Sequence, residues 1–153
     1  MRLHVCAVGR KSPDWLDAGF NDYARRMPGA ARLSLHTVAH AKPGQPIERA
    51  RADEGRRLRG VLPKRAQTVA LDRSGTALSS EAVAERAREW NRTGAEVAFV
   101  IGGVDGLEPE LLDEADERWS LSSLTLPHGL VRVIIAEQLY RALTILHNQP
   151  YHR

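Results

Sequence analysis

Glu96-Val-Ala-Phe-Val-Ile-Gly-Gly-Val-Asp-Gly-Leu107 decides the fold. Residues 96–101 are almost continuously apolar and stop at glycine. A short run of that kind reads as a strand buried on both faces, as strands are in a parallel sheet covered by helices. The glycines then place a turn at the carboxyl end of the strand. Ligands of open α/β sheets bind at such ends, where bare backbone permits close approach. Gly102, Gly103 and Gly106 lack the spacing of the dinucleotide fingerprint, and no phosphate-loop Lys-Ser/Thr is present, so neither NAD nor a nucleoside triphosphate is indicated. Taken alone, the turn is either a ligand contact or a plain tight turn.

Outward from this stretch, strand and helix alternate. Arg2 to Gly9 reads as a strand, and Pro13 to Met27 as a helix with Ser12 at the N-cap and Pro13 in the first helical position. That helix sets Trp15, Leu16, Phe20, Tyr23 and Met27 on roughly one face. Arg32 to Val38 is a second strand, and Ala39 to Pro46, with Pro43, Gly44 and Pro46, is the most flexible loop. Ile47 to Gly60 is a basic helix. Gln67 to Leu71 is a third strand, closed by Asp72-Arg-Ser-Gly75. Ser79 or Ser80 caps a helix to about Arg92 that turns Val83, Ala87 and Trp90 inward. A short acidic helix starts near Pro109, Ser120 to Leu124 forms a short fifth strand, and Leu130 to about His147 is the final helix. The alternation predicts one domain, residues 1–153, built as an open parallel α/β sheet with helices on both faces.

With 153 residues the chain can bury a real core but hardly two. No secretory pattern is seen at the first residues, and Arg132, Glu137, Gln138 and Arg141 interrupt the longest apolar run, which argues against a membrane span. A single cysteine, Cys6, excludes an internal disulfide and fits a reducing cytoplasm. His4, His36, His40, His128, His147 and His152 have no metal-ligand spacing with Cys6 or the acids, so no metal is expected. The net charge is only +3 but unevenly spread. Residues 42–65 hold eight basic against three acidic side chains, and residues 108–118 hold six acids against one arginine. The basic segment is either a polyanion-binding surface or a solvated helix face.

Three further features carry chemistry. Ser122-Ser-Leu-Thr-Leu-Pro-His128 sits between a strand and the last helix and offers hydroxyls and amides to a polar ligand, unless it is a simple helix entry. Leu130, Val131, Val133, Ile134, Ile135, Leu139, Tyr140, Leu143, Ile145 and Leu146 cover nearly every side of the final helix. Such a helix is buried on more than one side, against a second copy of the chain or at the centre of a monomer. Tyr151-His-Arg153 offers an aromatic ring, an imidazole and a guanidinium able to stack on a base and contact phosphate, or is a frayed end.

These segments together resemble one family. Trp15 with Phe20 and Tyr23-Ala-Arg-Arg26, then Ile101-Gly-Gly-Val-Asp-Gly-Leu107, Trp119-Ser-Leu-Ser-Ser-Leu-Thr-Leu-Pro-His128, Val131-Arg-Val-Ile-Ile-Ala-Glu-Gln-Leu-Tyr-Arg-Ala142 and Asn148-Gln-Pro-Tyr-His-Arg153 look like the RlmH family of the SPOUT superfamily, pseudouridine methyltransferases of the ribosomal large subunit. The resemblance implies a SPOUT-type sheet with a C-terminal trefoil knot, an exception to unknotted topology. It implies S-adenosylmethionine as cofactor, a homodimer in the cytoplasm, and methylation at N3 of a pseudouridine in helix 69 of 23S rRNA on assembled ribosomes. Carried onto this sequence, the cofactor positions are Leu71, Gly102, Gly103, Ser122, Ser123, Leu124, Thr125, Leu126 and Pro127. His152 and Arg153 become the base or the stabiliser of the anion, acting across the dimer interface, with Tyr151, Arg132 and His128 at the substrate. Val104-Asp105 stands where many relatives carry Pro-Glu, and Gly129 where Pro is frequent. A non-catalytic ribosome-binding protein and a SPOUT enzyme for another RNA are the rival readings; the two ligand-type loops disfavour the first, and the absence of an added RNA-binding domain the second.

Overall fold

A computed structural model describes residues 1–152; Arg153, named above for the active site, lies outside the described residues. Five strands and five helices alternate: β1 (Arg2–Val8), α1 (Asp14–Arg25), β2 (Arg32–Val38), α2 (Ile47–Val61), β3 (Gln67–Ala77), α3 (Ser80–Thr93), β4 (Glu96–Ile101), α4 (Pro109–Glu114), β5 (Glu117–Ser120) and α5 (His128–Leu146). A 3-10 turn, Pro150–His152, follows. The strands form one sheet in the order β2-β1-β4-β3-β5, and every neighbouring pair is parallel. The open parallel sheet expected from the sequence is therefore borne out.

Side-chain alternation explains why helices must lie on both faces. Leu3, Val5 and Ala7 of β1 and Val97, Phe99 and Ile101 of β4 enter one core with Phe20 of α1, Trp90 of α3 and Leu139 of α5. The intervening Cys6, Val8, Ala98 and Val100 enter a second core with Leu58 of α2 and Leu111 of α4. Burial pushes the Cys6 thiol up to about 12, so it behaves as a small apolar side chain and not as a nucleophile. α5 lies between α1 and α3, and its Ile135, Ala136, Leu139, Ala142, Leu143 and Thr144 are buried. Leu130, Val131, Val133, Ile134, Ile145 and Leu146 are half-buried, so no apolar face of the helix is fully wetted. On its polar stripe Arg141 donates to Glu137 at 2.9 and 2.6 Å, the expected i,i+4 pair.

Several local expectations are corrected. Ser12 does not cap α1; Pro13 occupies the cap position, and the Leu16 and Asp17 amides donate to its carbonyl. Trp15 is 65% exposed, because it sits about 100° around the helix from Leu16 and off the buried stripe of Leu16 and Phe20; Met27, expected on that helix, is buried beyond its end at Arg25. β3 does not end at Leu71. The chain bulges over Asp72–Gly75 and resumes pairing at Thr76 and Ala77 against Trp119 and Ser120. β5 correspondingly lies at Glu117–Ser120, earlier than expected, and α5 starts at His128. By contrast Ser79 caps α3 as read, accepting from the Ala82 amide at 3.1 Å. The loop at 39–46 is fastened at its start. Glu54 of α2 accepts from the Ala41 amide at 2.9 Å, and Arg57 donates to the carbonyls of Ala39 and His40 at 3.1 and 2.8 Å.

The core turns on three aromatic rings. Phe99 is fully buried, with Trp90 edge-on at 5.9 Å and Trp119 tilted at 5.5 Å, while the two indoles stack at 5.8 Å. The contact fixes α3 and β5 to the central strand. Phe99→Ala is expected to lower unfolding free energy by about 3–5 kcal/mol, measured as a shifted denaturant midpoint; a loss below about 1 kcal/mol would show that the rings do not organise the core.

Candidate cofactor and active site

The carboxyl ends of β3, β4 and β5 are adjacent in the sheet, and the segments leaving them enclose a cavity of about 430 Å³. That volume lies within the usual range for small-molecule sites. Leu71 ends the regular part of β3, and Ile101, Gly102 and Gly103 leave β4. Ser120, Leu121, Ser122, Leu124, Thr125 and Leu126 form the third wall, closed by His128 and Val131 of α5. Apolar side chains alternate there with hydroxyls and exposed backbone, which suits a ligand that is part ring and part polar chain.

Gly102 is required by close approach. A Cβ there would lie 2.5 Å from the Gly106 carbonyl carbon and 2.8 Å from the Leu107 nitrogen. The turn closes through the Gly106 amide, which donates to the Gly103 carbonyl at 3.0 Å, with Gly106 at φ +80°. In the facing loop the Ser122 hydroxyl accepts from the Leu124 amide at 2.9 Å, and the Ser120 hydroxyl donates to the Ser122 carbonyl at 3.0 Å. These bonds hold the loop open, with Leu124 left 71% exposed.

The structure brings together Leu71, Gly102, Gly103, Ser122, Leu124, Thr125, Leu126 and His128 on the cavity wall. Ser123 and Pro127 belong to the same loop but are exposed and do not line it. Arg132 lies one turn into α5, 4% exposed, and donates to the Val8 and Gly9 carbonyls at 2.9 and 2.6 Å. It thereby ties α5 to the carboxyl end of β1 instead of facing the cavity. Tyr151 packs far along the same helix, edge-on to Tyr140 at 4.7 Å, and donates to Glu137 at 3.1 Å. Glu137 is nine residues beyond His128, about 13 Å along the helix axis. Burial, then hydrogen bonding with Tyr23 and the charge of Glu137, push the Tyr151 phenol up, so it remains a neutral donor. His152 follows it in the 3-10 turn. Tyr151 is thus not placed at its own chain's cavity.

Sequence reasoning did not single out Arg51, Asp72, Arg73 or Asp105, which also line the cavity. Asp72 and Arg73 stand in the β3 bulge, a segment read only as a strand-closing turn. Arg51 comes from the basic helix, with its Nε donating to the Asp105 carbonyl at 2.6 Å. Gly129 leaves room for Leu16, whose Cδ1 would lie 2.8 Å from a Cβ at that position. Among the described residues no group of three or more His, Cys, Asp or Glu side chains converges as metal ligands, and no helix is long and apolar enough to cross a membrane.

His128 stands edge-on to His40 at 5.6 Å. Burial, then the neighbouring His40 and Arg132, hold its imidazole below the ordinary 6.5, with Glu54 pulling the other way. The fold therefore favours neutral His128. Its stabilising contribution is complete above about pH 6.5 and is lost as pH falls through the folded-state value. An NMR titration of the His128 ring is expected to give a midpoint below that of a model peptide; a midpoint above it would show that Glu54 dominates.

A parallel sheet carrying a glycine turn and a hydroxyl-rich loop around one cavity defines an open α/β protein with a ligand-sized cavity at its strand ends. The family described as "Predicted SPOUT methyltransferase" matches residues 1–152. The protein named ribosomal RNA large subunit methyltransferase H of Paraburkholderia xenovorans is 48% identical over 155 residues, covering 100% of this chain and 99% of that relative. Proteins of the same name from Nitrosococcus oceani and Burkholderia thailandensis are 47% and 46% identical, each over 100% of this chain and 99% of their own length. The chain belongs to the SPOUT methyltransferase family.

Proposed function

We propose that this protein is an S-adenosylmethionine-dependent methyltransferase of large-subunit ribosomal RNA, acting in the cytoplasm on N3 of a pseudouridine in helix 69 of assembled ribosomes. The observation that carries this reading is the cavity at the carboxyl ends of β3, β4 and β5. Two of the four large exposed hydrophobic side chains among the described residues, Val104 and Leu124, line it. Exposed apolar groups on a concave wall fit a ligand that covers them. The rRNA target is taken from the names and near-full-length identity of the relatives, and the nucleotide from the family resemblance.

The residues present fit the cofactor. Leu71, Leu124 and Leu126 would hold the adenine ring, the backbone of Gly102, Gly103, Ser122 and of residues 124–126 would meet its polar atoms, and Ser122 and Thr125 would supply hydroxyls. When bound, the cofactor supplies an electrophilic methyl group. The protein's task is to orient the substrate ring and remove its N3 proton, which is mainly positioning and electrostatics. His152 would accept that proton and Arg153 would stabilise the imide anion, with Tyr151 against the ring and His128 beneath, while Arg132 would act only by fixing the start of α5. Because Tyr151 of a chain rests on its own Glu137, the tail would serve the cavity of a second copy. The half-buried apolar residues of α5 supply a surface for such a homodimer. The return of α5 from β5 to a place between α1 and α3 suits the family's trefoil knot around the cofactor loops.

The test is transfer of labelled methyl to ribosomes from cells lacking this gene, with the label mapped on the RNA. Label on one large-subunit pseudouridine is expected. Removal of residues 151–153 is expected to lower kcat/KM at least about 10²-fold while cofactor binding persists. Label elsewhere would redirect the target, and full activity without the tail would remove His152 and Arg153 from the chemistry.

A further inference from the structure

The basic helix is not the free cationic surface that its composition suggests. Arg59 of α2 pairs with Glu108 and Glu114 of the acidic segment, Arg56 lies 3.4 Å from Asp53, and Arg57 is engaged by the carbonyls of residues 39 and 40. Arg59 is thus the one cation of α2 that the salt bridges join to the acidic segment among the described residues, while Arg56 and Arg57 are engaged within α2 and by the loop before it. The cations without a carboxylate partner among the described residues include a set at one edge of the sheet. Arg10 and Lys11 follow β1, Lys42 follows β2, Arg73 stands in the β3 bulge, and Arg49 and Arg51 lie in the first turns of α2. All six are at the carboxyl edge, where the cavity opens. Acids share that edge: Asp14, Glu48, Asp72 and Asp105, with Glu81, Glu108 and Glu110 at the starts of α3 and α4; Glu108 is paired with Arg59, and the Asp72 carboxylate is taken by the Ser74 amide and hydroxyl.

Arg51 and Arg73 differ from the rest in where they are anchored. Both line the cavity, from α2 and from β3. Arg51 Nε donates to the Asp105 carbonyl, which leaves its terminal nitrogens free and attaches the side chain to the glycine turn. Arg73 reaches the Thr125 hydroxyl at 3.4 Å, which places it against the hydroxyl-rich loop. Each of the two ligand loops therefore carries one guanidinium at its rim. A planar guanidinium with free donors is suited to a phosphodiester.

We infer that Arg51 and Arg73 form a two-sided phosphate clamp at the cavity mouth, with Arg10, Lys11 and Lys42 continuing the contact with the RNA backbone along the same edge. The inference rests on the proposed rRNA substrate and names the surface that meets it. The clamp grips the backbone on either side of the target nucleotide and reads no base. Because each arginine rests on a cofactor loop, docking of the backbone bears on the loops that shape the cavity.

The test uses the full-length protein without cofactor, co-sedimented with ribosomes over a series of salt concentrations. Arg51→Gln and Arg73→Gln are each expected to weaken binding about tenfold and to reduce the slope of log affinity against log salt by about one. Lys11→Gln, outside the cavity lining, is expected to lower the slope in the same way. Arg51→Lys and Arg73→Lys should restore most of the slope, and Lys64→Gln, at the opposite edge of the sheet, should leave affinity and slope unchanged. Wild-type affinity and slope in the glutamine variants would overturn the inference, as would weakened binding with an unaltered slope, which marks a structural effect. A wild-type protein that neither binds nor methylates ribosomes would overturn the rRNA reading and the clamp with it. Ribosome binding by the wild type with unaffected variants would overturn the clamp alone.

Discussion

A strand that is apolar on both sides has to be covered on both sides, and β4 imposes this demand on the whole chain. Val97, Phe99 and Ile101 face one layer of helices, and Ala98 and Val100 face the other. Parallel neighbours allow that cover, because each crossover carries a helix back over the sheet. The same geometry sends every strand out at one edge. The segments after β3, β4 and β5 then meet without any further device, and the cavity is the space between them. Phe99 joins the two consequences. Its ring fixes Trp90 of α3 and Trp119 of β5, and Trp119 immediately precedes the hydroxyl-rich loop.

Polar groups inside this frame act as fasteners. Arg132 is buried with its charge directed at the Val8 and Gly9 carbonyls, so the start of α5 is tied to the end of β1. Burial pushes the guanidinium below its ordinary value, with Asp17 opposing; an arginine stays charged nonetheless. Glu54 and Arg57 hold the backbone of residues 39–41 from α2. The site is thus made of loops, but loops whose ends are bonded to helices. Such anchoring supports the preorganisation that methyl transfer needs.

Much of this was legible in the sequence, for local reasons. The apolar run before Gly102, the Ser79 cap and the alternation in β2 each carry their own signal within a few residues. So did the glycine turn and the Ser/Thr loop, both of which line the cavity. What was not legible depends on pairing across the chain. Asp72-Arg-Ser-Gly75 has turn composition, and only the partner strand shows that β3 resumes at Thr76 against Trp119. Trp15 is next to Leu16 in sequence, but the neighbouring helices reach Leu16 and leave Trp15 in water. Arg59 of α2 meets Glu108 and Glu114 only after a crossover, and composition alone did not place Arg51 and Arg73 at the cavity.

The central claim is that the cofactor binds where the three strand ends meet. Backbone amide shifts recorded by NMR during titration with S-adenosylmethionine test it most directly. The account predicts large shifts at Leu71, at residues 102–106 and at residues 120–126, with little change at the amino-terminal edge around His4, His36 and Glu96. Shifts centred on that opposite edge, or none at saturating cofactor, would contradict it.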